Sequence, residues 1–206
     1  MSVHDKAARI RLILFDVDGV LTDGLVQLHG DGTESKNFHI RDGIAMVWAQ
    51  HVGITVGLLS GRASNTTTER AAQLGLTLVH QGVPNKLETY EQIVGDMCEN
   101  DDEVAYMGDD IVDLPVLLRA GFSAAPADAS VDVLGRVHWV SRAKAGDGAV
   151  RELVELILRA QGRWDAIVEA YLDEATASSE GRESDGAPRG PSRPSAATAG
   201  RRRSGK

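Results

Sequence analysis

Between Leu12 and Gln161, short apolar runs rich in β-forming residues alternate with helical patterns, and this alternation constrains the fold more than any other feature of the chain. The apolar runs are Leu12 to Val17, Thr55 to Ser60, Thr77 to His80, Val104 to Gly108, Phe122 to Ala125 and Val137 to Val140. Helical patterns fall near Gly43 to His51, Thr66 to Leu74, Lys86 to Cys98, Asp113 to Ala120 and Gly148 to Gln161. Strands that are apolar throughout and separated by helices belong to a parallel sheet covered on both faces. The expected class is therefore a doubly wound α/β domain with a parallel sheet. One segment breaks the pattern: Gly24 to Phe38, with the turn Gly30-Asp31-Gly32, reads as a β-hairpin flap projecting after the first strand.

In open sheets of this kind, ligands bind in the crevice beyond the carboxyl ends of the strands. Four strand ends carry polar groups: Asp16 and Asp18, then Ser60, then Lys86, then Asp109, Asp110 and Asp113. Any one of these carboxylates by itself serves equally well as a helix cap or turn residue. Caps do not account for all four strand ends together. Two carboxylates roughly 4 Å apart repel by about 4 kcal/mol at an effective dielectric near 20, so such a crevice calls for a cation. Oxygen donors without a histidine or cysteine cluster favour a hard ion, Mg²⁺ first, which also lets a phosphate dianion approach a carboxylate.

The 206 residues suffice for one full domain with length to spare. A single cysteine, Cys98, excludes an intramolecular disulfide and suits a reducing cytoplasm. No apolar stretch reaches the length of a membrane span or a signal-peptide core, so neither membrane nor export is expected. From Glu174 onward the composition turns to Ser, Gly, Ala, Pro and Arg, the mark of a disordered tail, which places the domain at 1–173 and the tail at 174–206. Its Arg201-Arg202-Arg203 cluster reads as a solvated charge run. Residues 1–172 hold 15 basic against 25 acidic residues, a net of −10, which disfavours a nucleic-acid partner.

Phe15-Asp16-Val17-Asp18-Gly19-Val20-Leu21-Thr22-Asp23-Gly24 resembles motif one of the haloacid dehalogenase (HAD) superfamily phosphatases. Leu58-Leu59-Ser60-Gly61-Arg62 resembles motif two, Asn85-Lys86 motif three, and Gly108-Asp109-Asp110-Ile111-Val112-Asp113 motif four. The resemblance implies a nucleophile at Asp16 and a general acid and base at Asp18. It also implies phosphoryl-oxygen contacts from Ser60 and Lys86. Metal would be held by Asp16, the backbone carbonyl of Asp18 and Asp109, with Asp113 behind them or tethering Lys86. Asp110 is left open between metal and loop. Aspartate at position 18, where the related ion-pumping ATPases carry threonine, implies hydrolysis.

No cap domain fits in the gaps after the first two motifs, so a capless crevice covered by neighbouring subunits is expected. The hairpin, Phe38-His39-Ile40-Arg41-Asp42-Gly43 and Gly146-Asp147-Gly148-Ala149-Val150-Arg151-Glu152 resemble 3-deoxy-D-manno-octulosonate 8-phosphate phosphatases. That likeness implies a homotetramer and a small phosphorylated sugar acid as substrate. The contacts it implies are Asp18, His39, Arg41, Asp42, Gly43, Arg62, Arg70 and Lys86. One departure is a reversal of charge, because Asp147 stands where that family usually has arginine. Nonulosonate 9-phosphates are accordingly the alternative substrates, phosphomutase the alternative reaction, and a non-catalytic assembly domain the alternative class.

Overall fold

The computed structural model describes residues 1–97 and 100–183. Cys98 and Arg201 to Arg203 lie outside the described residues. The chain divides into a first unit, Met1–Val168, and a second beginning at Glu169.

The strands are β1 (Leu12–Phe15), β2 (Gln27–Leu28), β3 (Glu34–Ser35), β4 (Thr55–Leu59), β5 (Leu78–His80), β6 (Val104–Met107), β7 (Phe122–Ala125) and β8 (Trp139–Val140). The helices are α1 (Val3–Ala7), α2 (Ile40–His51), α3 (Asn65–Gln73), α4 (Lys86–Met97), α5 (Leu114–Leu117), α6 (Val131–Leu134), α7 (Ala149–Ala160) and α8 (Trp164–Glu183). Six strands form one sheet in the order β5-β4-β1-β6-β7-β8, and every pairing in it is parallel. The crossing from β1 outward to β4 on one side and β6 on the other makes the fold doubly wound, as the alternation of runs implies.

Side chains of β1 alternate between two cores. Ile13 and Phe15 join Met46 of α2, Ala71 of α3 and Val150, Leu153 and Ile157 of α7 on one face. Leu12 and Leu14 join Tyr90 and Ile93 of α4, Val116 and Leu117 of α5 and Val133 of α6 on the other. A strand apolar at every position is what burial on both faces requires. α7 shows the helical counterpart, with Val150, Leu153, Val154, Ile157 and Leu158 buried at the spacing of one helix face.

The hairpin pairs only Gln27 with Ser35 and Leu28 with Glu34, antiparallel, and forms its own two-stranded sheet. Its loop closes through the N–H of His29 donating to the carbonyl of Thr33 at 2.9 Å, while the Asp31 carboxylate accepts from the Thr33 N–H at 2.9 Å. Helix α2 starts three residues earlier than its apolar pattern suggests, at Ile40, so Arg41, Asp42 and Gly43 lie in its first turn with His39 as the capping residue. The helix expected over Asp113 to Ala120 is shorter, because a 3₁₀ turn at Ile111–Asp113 precedes α5. α1 and α6 were too short to leave a periodic signal. α8 continues to Glu183, into the stretch whose composition suggests a tail, and residues 184–206 lie outside those described.

Candidate active site

All four polar strand ends meet at the carboxyl edge of the sheet. Asp16 continues the line of β1, its N–H donating to the carbonyl of Met107 at 3.0 Å. Lys86 opens α4, and its Nζ lies 2.8 Å from Oδ1 of Asp16 and 2.6 Å from Oδ1 of Asp113. Ser60 follows β4, where its hydroxyl donates to the Arg62 carbonyl at 3.0 Å. Asp109 follows β6. Its carboxylate approaches the loop after β1 so closely that a Cβ at Gly19, where φ is +93°, would stand 2.5 Å from Asp109 Cγ. Only glycine serves at that position.

Asp113 is fully buried, and both of its oxygens face protein donors. Oδ1 accepts from Lys86 Nζ and from the Tyr106 hydroxyl at 2.6 Å, and Oδ2 accepts the N–H groups of Asp109 and Asp110 at 3.1 and 3.3 Å. This residue anchors the lysine and the loop that carries Asp109. Asp110 caps the same loop, accepting the Ile111 N–H at 2.8 Å, so its side chain serves the turn.

One carboxylate oxygen from each of Asp16, Asp109 and Asp113 fits within a 4.8 Å cluster. Burial, then the charge of Asp113, raises Asp16 to about 6 despite the opposing pull of Lys86. Burial, then Asp16 and Asp113, raises Asp109 to about 7. Burial opposes the Lys86 charge, but Asp16 and Asp113 outweigh it and hold that pKa above the usual lysine value. The site therefore carries more negative charge than its one ammonium balances. An all-oxygen donor set with this deficit fits a Mg²⁺ ion, and because Asp113 is committed elsewhere, Asp16 and Asp109 have the coordinating capacity left.

These groups line an open cleft of about 500 Å³ that contains Asp16, Asp18, Ser60, Arg62, Lys86, Asp109 and Asp110. Arg62 reaches it in an ion pair with Glu34 of the hairpin, 2.6 Å between Nη2 and Oε2. His39, Asp42, Gly43 and Arg70 border a different, small cavity of about 10 Å³, room for a single water at most. Arg70 lies over the bare Cα of Gly43 and its guanidinium sits 5.9 Å from the Phe38 ring. Asp42 accepts the N–H groups of Gly148 and Arg151 at 3.3 and 2.8 Å and so caps the start of α7. Arg41 is exposed on α2 and is absent from the lining of both cavities.

No family model matches the sequence. Over 160 residues the chain is 41% identical to 3-deoxy-D-manno-octulosonate 8-phosphate phosphatase KdsC of Escherichia coli K12, covering 78% of this chain and 85% of that one. The crystal structure of the Yersinia pestis 3-deoxy-D-manno-octulosonate 8-phosphate phosphatase superposes with a TM-score of 0.78 at 41% identity, over 79% of this chain and 88% of that chain. The Moraxella catarrhalis 3-deoxy-D-manno-octulosonate 8-phosphate phosphatase, solved with magnesium ion, phosphate ion and KDO, gives a TM-score of 0.80 at 32% identity over 82% and 97%. This chain belongs to the 3-deoxy-D-manno-octulosonate 8-phosphate phosphatase family. A further structural neighbour from Legionella pneumophila, TM-score 0.80 at 36% identity over 83% of this chain and 94% of that chain, is a putative HAD superfamily hydrolase, consistent with the four motifs.

Three residues of this family member's site escape a reading of its sequence. Tyr106 sits within β6 and looks like one more core residue until its hydroxyl is seen on Asp113. Glu34 and Lys36 belong to the hairpin, where Glu34 meets Arg62 and the Ser64 hydroxyl, and Lys36 Nζ lies 2.7 Å from Asp18 Oδ1. Their spacing of two along an extended strand, which puts them on one face, was the available signal.

Proposed function

We propose that the chain is a Mg²⁺-dependent phosphomonoesterase that hydrolyses 3-deoxy-D-manno-octulosonate 8-phosphate through an aspartyl-phosphate on Asp16. The observation that carries this reading is the Lys86 bridge between Asp16 and Asp113 beside Asp109, within a family whose named members act on that substrate. Asp16 and Asp109, with the carbonyl of Asp18, would hold the ion. When bound, Mg²⁺ offsets the carboxylate charge and the charge of the phosphoryl group.

Asp16 attacks phosphorus opposite the leaving oxygen, forming an oxygen–phosphorus bond as the ester bond breaks. Lys86 neutralises charge at Asp16 and at an adjacent phosphoryl oxygen, and Ser60 donates a hydrogen bond to another. Asp18 gives a proton to the departing alkoxide and then takes one from the water that hydrolyses the intermediate. Arg62, at the cleft and partly exposed, supplies positive charge towards the carboxylate of a sugar acid. His39, Arg41, Asp42, Gly43 and Arg70 lie away from the cleft of the same protomer, so a role in substrate contact would have to arise at a subunit boundary. Asp147 is likewise exposed and does not line the cleft, which leaves the octulosonate reading in first place.

A homotetramer in the cytoplasm completes the reading. Leu25 and Leu28 of the hairpin and Ile40 at the start of α2 are 69, 77 and 74% exposed, apolar surface suited to association. No helix among the described residues is long and apolar enough to cross a membrane. The residues from 174 on are read as a tail to the phosphatase domain. The deciding experiment compares kcat/KM for the octulosonate 8-phosphate, a nonulosonate 9-phosphate, glucose 6-phosphate and an aryl phosphate. A preference of at least tenfold for the octulosonate is expected, and equal values would refute the substrate while leaving the chemistry standing.

A further inference from the structure

The hairpin carries more than apolar surface. Glu34 on β3 and Lys36 just after it meet Arg62 and Asp18 of the cleft lining, while Ser35 between them meets His29 Nε2 at 2.8 Å. Glu34 fastens the arm: its carboxylate binds Arg62 at 2.6 Å and the Ser64 hydroxyl at 2.5 Å, both on the segment between β4 and α3. Lys36 does something different. Its side chain is fully covered, its Nζ lies 2.7 Å from Oδ1 of Asp18, and the nearest approach to Glu34 is a longer 3.9 Å.

Both carboxylate oxygens of Asp18 and Nζ of Lys36 are shielded from solvent, and none of the three makes an aligned hydrogen bond among the described residues. The short distance and the poor alignment are compatible. The contact acts through charge rather than through a directed bond. A shielded carboxylate without hydrogen-bond donors is strongly unfavourable unless a cation stands beside it. Asp18 sits two residues beyond the nucleophile on the loop after β1, with glycine next to it, so little in its own segment restrains its side chain.

We propose that Lys36 is a positioning residue for Asp18: the hairpin delivers an ammonium that holds the Asp18 carboxylate at the orientation from which it exchanges protons with the reacting oxygens. The proposal rests on the reading of Asp18 as general acid and base. In the second half-reaction the water oxygen bonds to phosphorus, the bond from phosphorus to Asp16 breaks to return that carboxylate, and the water proton passes to Asp18. Misplacing the acceptor slows this step without weakening substrate binding, and an error of about 1 Å in such a group costs on the order of a hundredfold.

The test uses the full chain with Mg²⁺ and p-nitrophenyl phosphate, whose leaving group departs without needing a proton, so that Asp18 is required in the second step alone. Lys36→Met and Lys36→Gln are expected to lower kcat roughly tenfold to a hundredfold and KM in step with it, leaving kcat/KM within about twofold of wild type, because only the second step is slowed. Each should also show a rapid burst of nitrophenol approaching one per active site, as the aspartyl-phosphate on Asp16 accumulates. Lys36→Arg should recover much of kcat and lose the burst. A wild-type or raised kcat in both neutral variants, or a rise in KM alone, overturns the proposal; the latter would make Lys36 a substrate contact. Asp18→Asn separates this from the parent reading: turnover at the wild-type rate would remove Asp18 from the chemistry, whereas a slow Asp18→Asn beside unimpaired Lys36 variants would sink the positioning role alone. Circular dichroism checks that each variant is folded, and if one neutral variant fails to fold the other decides.

Discussion

Nζ of Lys86 lies 2.6 Å from Oδ1 of Asp113 and 2.8 Å from Oδ1 of Asp16, so one ammonium joins a fully buried carboxylate to one at the floor of the cleft. Asp113 satisfies four donors at once, counting Tyr106 and the N–H groups of Asp109 and Asp110. Removing it takes this acceptor from the Tyr106 hydroxyl and the two N–H groups and leaves Lys86 with Asp16. Taking away one partner of a buried ion pair typically costs about 3–5 kcal/mol, and Asp16 remains to soften the loss for Lys86. Asp113→Ala is therefore expected near the lower end of that range by urea unfolding, together with loss of phosphatase activity. Stability within about 0.5 kcal/mol of wild type, the usual size of a surface effect, would contradict the tether.

The metal should show its site through pH. Asp16 and Asp109 have folded pKa values raised to about 6 and about 7, above the unfolded carboxylate value. With the folded state holding the protons more tightly, the unfolded state binds fewer between about pH 4 and 7, and metal-free stability falls as pH rises through that window. Mg²⁺ replaces those protons. The rise in melting temperature on adding saturating Mg²⁺ is thus expected to be small at pH 5 and to grow up to pH 8, and EDTA should abolish both the shift and the activity. A shift that does not vary with pH would place the ion elsewhere.

Asp42 offers a test of structure against substrate contact. Its carboxylate is buried and accepts N–H groups from Gly148 and Arg151, tying α2 to the start of α7. Burial raises its pKa, with the Arg151 N–H and nearby His39 pulling the other way and Asp147 adding to the rise. Loss of a capping carboxylate costs about 0.5–2 kcal/mol. Asp42→Ala should lower the unfolding free energy by about that much and leave KM for the sugar acid within twofold. A tenfold rise in KM with unchanged stability would restore Asp42 to the substrate site.

Much of this was legible because the chemistry sits where strands end. Asp16, Ser60, Lys86 and Asp109 each follow an apolar run whose length marks a strand, and parallel topology brings the carboxyl ends of such strands to one edge. The hairpin was legible as a turn between two short β-like pieces, but its reach over Asp18 was not. Lys36 meets Asp18 through tertiary docking that depends on the Glu34 anchor, and neither periodicity nor turn chemistry encodes where a two-strand arm lies. Residues 39 to 43 show a different limit. The family resemblance implies substrate contact there, whereas within one protomer the early start of α2 turns Asp42 towards α7 and leaves Arg41 exposed, because the first turn of a helix faces what its cap allows. Tyr106 was hidden by its neighbours, an aromatic residue in a strand otherwise apolar.

Gly19 closes the ion site from the side of the loop after β1. Its φ of +93° already disfavours any other residue, and a Cβ would fall 2.5 Å from Cγ of Asp109. Gly19→Ala therefore adds two penalties, a backbone strain of about 1–3 kcal/mol and displacement of a carboxylate that should hold Mg²⁺. The two separate by comparison with Gly32→Ala at the hairpin tip, where φ is +85° and no atom lies within 4 Å of the added methyl. Both variants should lose stability, since both pay the strain. Only Gly19→Ala should raise the Mg²⁺ concentration for half-maximal activity, by roughly tenfold or more, because a contact that orients a metal ligand is commonly worth 10–100-fold in metal affinity. Titration of activity and of the Mg²⁺-induced melting shift measures this directly. If the two alanine variants required the same Mg²⁺ concentration as the unaltered protein, the close approach of Gly19 to Asp109 would have no part in holding the ion.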